Sequence, residues 1–200
     1  MNLFQTEDKI NEYLIIISPP AETKEQIRQI KNEFALKTNS KHAAESVAHI
    51  SVLGLILESS REEKLKPFLK EFCAAQVPFS IYMKNYNGFP SHTIFISILE
   101  IDNIVKMMNN LFMFLKKNQI ILKKNYQRHT LTHISIARLL TKDQYSKVIT
   151  EYQNKPFTGM FIANNLTLLK RPYDRNSYNN YRWDKDKYKF TFSGKNSSNS

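Results

Sequence analysis

Two five-residue segments of this chain are near copies of each other: Ala48-His49-Ile50-Ser51-Val52 and Thr132-His133-Ile134-Ser135-Ile136. Each places a histidine two residues ahead of a serine inside an apolar, β-branched run. A strand alternates its side chains between two faces. His49 and Ser51 therefore share one face and Ile50 and Val52 the other, and His133 and Ser135 are separated from Ile134 and Ile136 in the same way. The pattern calls for two half-buried strands, each with an aliphatic face on a core and a His-x-Ser face toward something polar. Face to face, they would line a cleft with two imidazoles and two hydroxyls.

The remaining chain interleaves helical and strand patterns. Tyr13 to Ile17 reads as a central strand stopped by Pro19-Pro20. Residues 21 to 38 follow with Ile27, Ile30 and Phe34 at helical spacing, then the first motif strand over 47–57 and a helix over 61–75. Pro78 opens a strand through Met83, Asn85 to Pro90 reads as a turn around Asn87-Gly88, and Thr93 to Leu99 is a further strand. A helix from Asp102, a candidate cap, runs to about Lys117, and the second motif strand spans 131–138. Thr141 is a candidate N-cap for a helix to about Tyr152, and strands follow over 157–169 and 188–192. This order gives an α+β fold. One domain over residues 1–192 is expected, with a Ser/Asn/Gly-rich disordered tail over 193–200.

Two hundred residues, 42% of them hydrophobic, suffice for one sizeable core. Only four are glycine, and neither a phosphate-cradling loop nor a dinucleotide fingerprint occurs. Cys73 is the single cysteine, which excludes an intramolecular disulfide and suits a reducing compartment. No stretch approaches the about 20 apolar residues of a membrane span, and Tyr13 to Ile17 is too short for a signal-peptide core. The chain reads as a cytoplasmic monomer without membrane contact. Its net charge of +11 favours an anionic partner.

Two histidines suit acid–base work, because an imidazole with a pKa of about 6.5 can give or take a proton near neutral pH. One can accept a proton from water or a ribose hydroxyl while the other protonates the leaving oxygen. Ser51 and Ser135 can donate hydrogen bonds to the non-bridging oxygens of a phosphate. Such a site needs no metal and no other cofactor. His129 and His133 have the spacing of a helical zinc pair, yet Leu131 to Ala137 alternates as a strand, and four strand residues span ~13 Å. A Ser–His–Asp triad lacks its Gly-x-Ser-x-Gly elbow. His42 and His92 lie in no motif and read as surface or structural histidines.

The paired motifs resemble those of the 2H phosphoesterase superfamily, which carries two His-x-Thr/Ser motifs, and most closely its bacterial 2′-5′ RNA ligase or cyclic phosphodiesterase group. Tyr13 to Pro20 looks like that group's first strand and its proline-rich end. Lys66-Pro67-Phe68 through Phe89-Pro90, Thr93 to Ile98 and Thr167-Leu168-Leu169-Lys170-Arg171 follow its later sections. The resemblance implies a bilobal fold of two antiparallel sheets with outer helices around a central cleft. It further implies a hydrolase acting on a 2′,3′-cyclic phosphate or 2′-5′ phosphodiester of RNA ends or nucleotides. His49, Ser51, His133 and Ser135 are the implied catalytic residues. The alternative is a non-catalytic RNA- or nucleotide-binding protein using the same cleft. Arg138 is a substrate-binding candidate from the end of its strand, although at i+5 from His133 a regular strand turns it away. Tyr173 and Tyr178 could stack on a base. Lys116, Lys117, Lys123, Lys124 and Arg128, with Lys170, Arg171, Arg175, Arg182, Lys185, Lys187 and Lys189, could follow an RNA backbone or form a solvated basic face.

Overall fold

The computed structural model describes residues 8–40, 43, 46–99, 101–122, 125–129, 131–174, 183–184 and 188–194. One antiparallel sheet is built from β1 (Ile10–Ile17), β2 (Ile50–Glu58), β5 (Tyr126–Arg128), β8 (Asn165–Pro172) and β9 (Tyr188–Thr191), in the spatial order β5-β2-β1-β8-β9. A second contains β3 (Phe79–Phe89), β4 (Thr93–Leu99), β6 (His133–Ala137) and β7 (Thr158–Ala163), in the order β6-β4-β3-β7. Four helices are present among the described residues: α1 (Ala21–Thr38), α2 (Glu62–Ala74), α3 (Asp102–Lys117) and α4 (Lys142–Asn154). None is long and apolar enough to cross a membrane.

The run Tyr13 to Ile17 sits in the middle of its sheet, with Tyr13, Ile15 and Ile17 fully buried. The helices are exchanged between the sheets. α1, which leads into the first motif strand, packs on β6, and α3, which leads toward the second, packs on β2. The order strand, helix, motif strand, helix thus occurs twice, as β1-α1-β2-α2 and, with the short β5 inserted, as β4-α3-β6-α4. This is the expected α+β architecture of two helix-backed antiparallel sheets.

Local chemistry explains the element ends. Thr141 and Gln144 form a reciprocal capping box at the start of α4. The Gln144 amide also donates to the Thr38 carbonyl at 3.0 Å, where α1 ends. Glu62, 5% exposed, accepts from the Tyr13 hydroxyl and from the ammonium groups of Lys66 and Lys170, which joins β1, α2 and β8. Burial by itself would raise the pKa of this carboxyl; the bonds from Lys170, Lys66 and Tyr13 outweigh it and hold the carboxyl below its ordinary value. Cys73 is buried, and burial pushes its thiol up to about 12.

Several boundaries differ from the sequence reading. Asn85 to Phe89 continues β3 rather than turning, and the reversal falls at 90–92. Asn85 takes a left-handed φ of 54° at a register shift, and its backbone N–H donates to the Phe157 carbonyl at 2.8 Å. Gly88 is glycine because α4 lies so close: an added Cβ would collide with the Tyr145 hydroxyl and come within 3.0 Å of Ile149. Asp102 is the first residue of α3 and makes no side-chain cap. Ser193 and Gly194 are tied to the end of α2 through the Ala74 and Gln76 carbonyls, so the described chain continues past the expected end at 192.

Candidate active site

His49 immediately precedes β2, and His133 opens β6. Burial alternates along both motifs as strand geometry requires. Ile50, Val52, Ile134 and Ile136 are buried, while His49, Ser51, His133 and Ser135 are half-buried. The two strands belong to different sheets and come into contact with each other. Each carries a bulge at the same place. Pairing with the neighbouring strand skips Val52, between Ser51 and Leu53, and Ile136, between Ser135 and Ala137. The internal likeness therefore extends from the pentapeptides to the strand geometry.

The imidazoles are held alike. His49 Nδ1 lies 2.8 Å from the Val47 carbonyl, and His133 Nδ1 lies 3.0 Å from the Leu131 carbonyl, each two residues upstream. A carbonyl oxygen only accepts, so both Nδ1 atoms carry hydrogen and donate. Nε2 is left on each ring as the atom that can accept or deliver a proton. Burial is the main cause that lowers the proton affinity of both rings. Lys31, Arg138 and His129 add to this for His49, which is brought down to about 4. Arg138 adds to it for His133. Among the described residues, the charged or titratable neighbours that act on the pair are cationic or imidazoles, a setting that favours an anion between them.

The bulge at Ile136 also re-aims Arg138. One extra residue inverts the alternation, and Ile136 and Ala137 are both buried in succession. Arg138 then falls on the motif side, exposed, and near enough to His49, His133, His129 and Lys31 to weaken proton binding at each. Leu139 follows with a left-handed φ of 57°, a conformation that costs a side-chain-bearing residue about 1–2 kcal/mol. Two aromatic rings wall the second histidine: Phe89, at 5.2 Å between ring centres and edge-on, and Phe95, at 4.9 Å.

A family model for the 2′-5′ RNA ligase superfamily matches residues 19–175. The chain belongs to that superfamily. No curated protein sequence matches it. Among solved structures, the apo form of LigT from E. coli superposes with a TM-score of 0.65 at 17% identity, covering 92% of this chain and 99% of that one. LigT complexed with 3′-AMP gives 0.62 at 15% identity with the same coverage, and TT0787 of Thermus thermophilus gives 0.62 at 12%, covering 92% and 100%. At these identities the likeness is one of fold.

Other candidate residues of this superfamily member fall elsewhere. Tyr173 does not join the histidines: its N–H bonds to the Ile10 carbonyl, whereas His49 lies at the Ile17 end of β1. Seven strand residues, about 23 Å, separate those ends. Lys170 is bound to Glu62, and Arg171 to Glu12 with Trp183 against its guanidinium, so both serve the fold instead of an RNA track. Arg128 lies over the Phe112 ring and bonds Asn109. His92 is exposed and bonds Thr93. His42, Tyr178, Lys123, Lys124, Arg175, Arg182, Lys185 and Lys187 lie outside the described residues.

His129 interacts electrostatically with both histidines of the pair. β5 ends at Arg128 in one sheet and β6 begins at His133 in the other, and His129 lies just after β5. Among the described residues its Nε2 is buried without a partner, and the residue lines a groove with Val52, Leu53, Met108, Phe112 and Arg128. Phe89, Phe95 and Lys31 are further members of the site that motif reading passed over. Lys31 alone left a trace in the sequence, as a charge in the apolar stripe of α1.

Proposed function

We propose that the chain is a metal-independent phosphodiesterase that opens 2′,3′-cyclic phosphates on RNA ends or nucleotides. The observation that carries this reading is the pair of Nδ1-anchored histidines on neighbouring strands of two sheets, surrounded by cations. His49, Ser51, His133 and Ser135 act as the catalytic set, with Arg138 on the phosphate. The complexes of LigT with 3′-AMP, ATP, NADP+ and phosphate make a phosphate-bearing nucleotide the natural ligand class.

The electrostatics divide the work. A bound phosphate draws one proton onto the pair. His49 resists it more, because Lys31 acts on it in addition to Arg138 and His129, which neighbour both rings, and it is brought down to about 4. The proton therefore resides on His133, and neutral His49 is the base that takes a proton from the attacking water. His133 then protonates the departing ribose oxygen. Ser51, Ser135 and Arg138 meet the non-bridging oxygens, where negative charge resides. As pH falls through about 4, His49 gains a proton and the base is lost; as pH rises, His133 loses its proton and the acid is lost.

The test is an oligonucleotide ending in a 2′,3′-cyclic phosphate, incubated with the protein in EDTA. Turnover should match that without chelator and vanish in His49→Ala and His133→Ala. Turnover abolished by EDTA, or surviving in either variant, contradicts the proposal. Salt-sensitive RNA binding without turnover would instead assign the cleft to a binding protein.

A further inference from the structure

Lys31 stands where a helix of this kind carries an aliphatic residue. It lies in the buried stripe of α1 between Ile27 and Phe34, and only 2% of it is exposed. Its Nζ donates to the Ser46 carbonyl at 2.8 Å and to the Ser46 hydroxyl at 2.7 Å. Among the described residues no carboxylate accompanies it, and the partners of its charge there are neutral oxygens. An ammonium taken out of water without a counter-ion destabilises a fold. Burial first, then Arg138, brings its pKa down to about 8. An apolar side chain of the same length would avoid that penalty.

Its location gives the charge a use. α1 packs on β6, the second motif strand, while Ser46 leads into β2, the first. One side chain therefore ties the cover of one motif to the entry of the other. The residue after Ser46 is Val47, whose carbonyl holds His49 Nδ1. Lys31 and Arg138 act on each other and on His49.

We infer that Lys31 is a positioning residue of the phosphate site: it fixes segment 46–49, which orients the His49 ring, and supplies buried positive charge beside Arg138. The inference rests on the reading of His49 and His133 as an acid–base pair. Lys31 itself is too buried to touch substrate. Among the described residues, the charged or titratable groups that act on His49 are Lys31, Arg138 and His129.

Lys31→Met keeps the length of the side chain and removes its charge and both hydrogen bonds, whereas Ser46→Ala keeps the charge and removes one bond. Four quantities separate a functional from a structural role: thermal midpoint, affinity for inorganic phosphate, kcat/KM against pH, and the titration of the His49 ring followed by NMR. For Lys31→Met the midpoint should stay level or rise. Phosphate affinity and kcat/KM should fall about ten- to a hundredfold, and the His49 titration should move up toward its ordinary value. Ser46→Ala should lose kcat while retaining phosphate affinity. Unchanged phosphate affinity and unchanged His49 titration in Lys31→Met overturn the inference, whatever happens to its midpoint. Should Lys31→Met not fold, Ser46→Ala with wild-type kcat and wild-type His49 titration overturns it. Phosphate affinity and ring titration need no turnover, so a wild-type protein inactive on cyclic phosphates would refute the proposed reaction while leaving Lys31 decidable.

Discussion

His133→Ala should lower turnover of 2′,3′-cyclic phosphates by about 10²–10⁴-fold, and a substrate with an activated leaving group should recover most of that loss. A ribose oxygen leaves as a strongly basic alkoxide unless it is protonated as the bond breaks. A nitrophenolate needs no such proton, so the general acid becomes dispensable. His49→Ala should suffer a loss of similar size on both substrates, because water must be deprotonated whichever group departs. The contrast follows from the asymmetry of the site, in which Lys31 acts on His49 in addition to the Arg138 and His129 that neighbour both rings. Steady-state rates of both variants on a cyclic phosphate and on a nitrophenyl phosphodiester decide it. Recovery by His49→Ala in place of His133→Ala would reverse the assignment. The double variant should be little worse than either single one, since the two rings act as a unit.

Ser51→Ala and Ser135→Ala should each reduce kcat by about 10²-fold, toward the lower end for loss of one donor to a developing oxyanion. Both hydroxyls lie on the histidine side of their strands, half-buried, two residues from the ring they accompany. Threonine at either place keeps the donor and the strand geometry, so Ser51→Thr and Ser135→Thr should retain most of the wild-type rate. Equal losses in the alanine and threonine variants would mean that the positions matter for packing and not for hydrogen bonding.

Much of this site was legible in the sequence because it depends on alternation, the most local of structural rules. His49, Ser51, His133 and Ser135 fall where period two places them. What the sequence hid depends on departures from regularity and on long-range contact. Arg138 faces the site only because Ile136 is bulged out, and a bulge depends on the pairing of β6 with β4. Gly88 imitates a turn signal, yet it answers the close approach of α4, some 55 residues later in the chain. His129 was set aside on the premise of a continuous strand, whereas β5, which ends at Arg128, and β6, which begins at His133, belong to different sheets. Tyr173 lies in a Tyr/Asn-rich stretch that suggests base stacking, but the antiparallel pairing of β1 with β8 carries it to the far end of the sheet. Lys170 and Arg171 find carboxylates on α2 and β1, partners that composition cannot show.

The central claim is that His49 and His133 present Nε2 to one phosphate. Ring-nitrogen NMR of histidine-labelled protein, titrated with a nucleoside 2′-monophosphate, measures this directly. Nε2 of both rings should shift along one binding curve while both Nδ1 atoms stay protonated and bonded. A response from a single ring, or loss of the Nδ1 hydrogen from either, would contradict it.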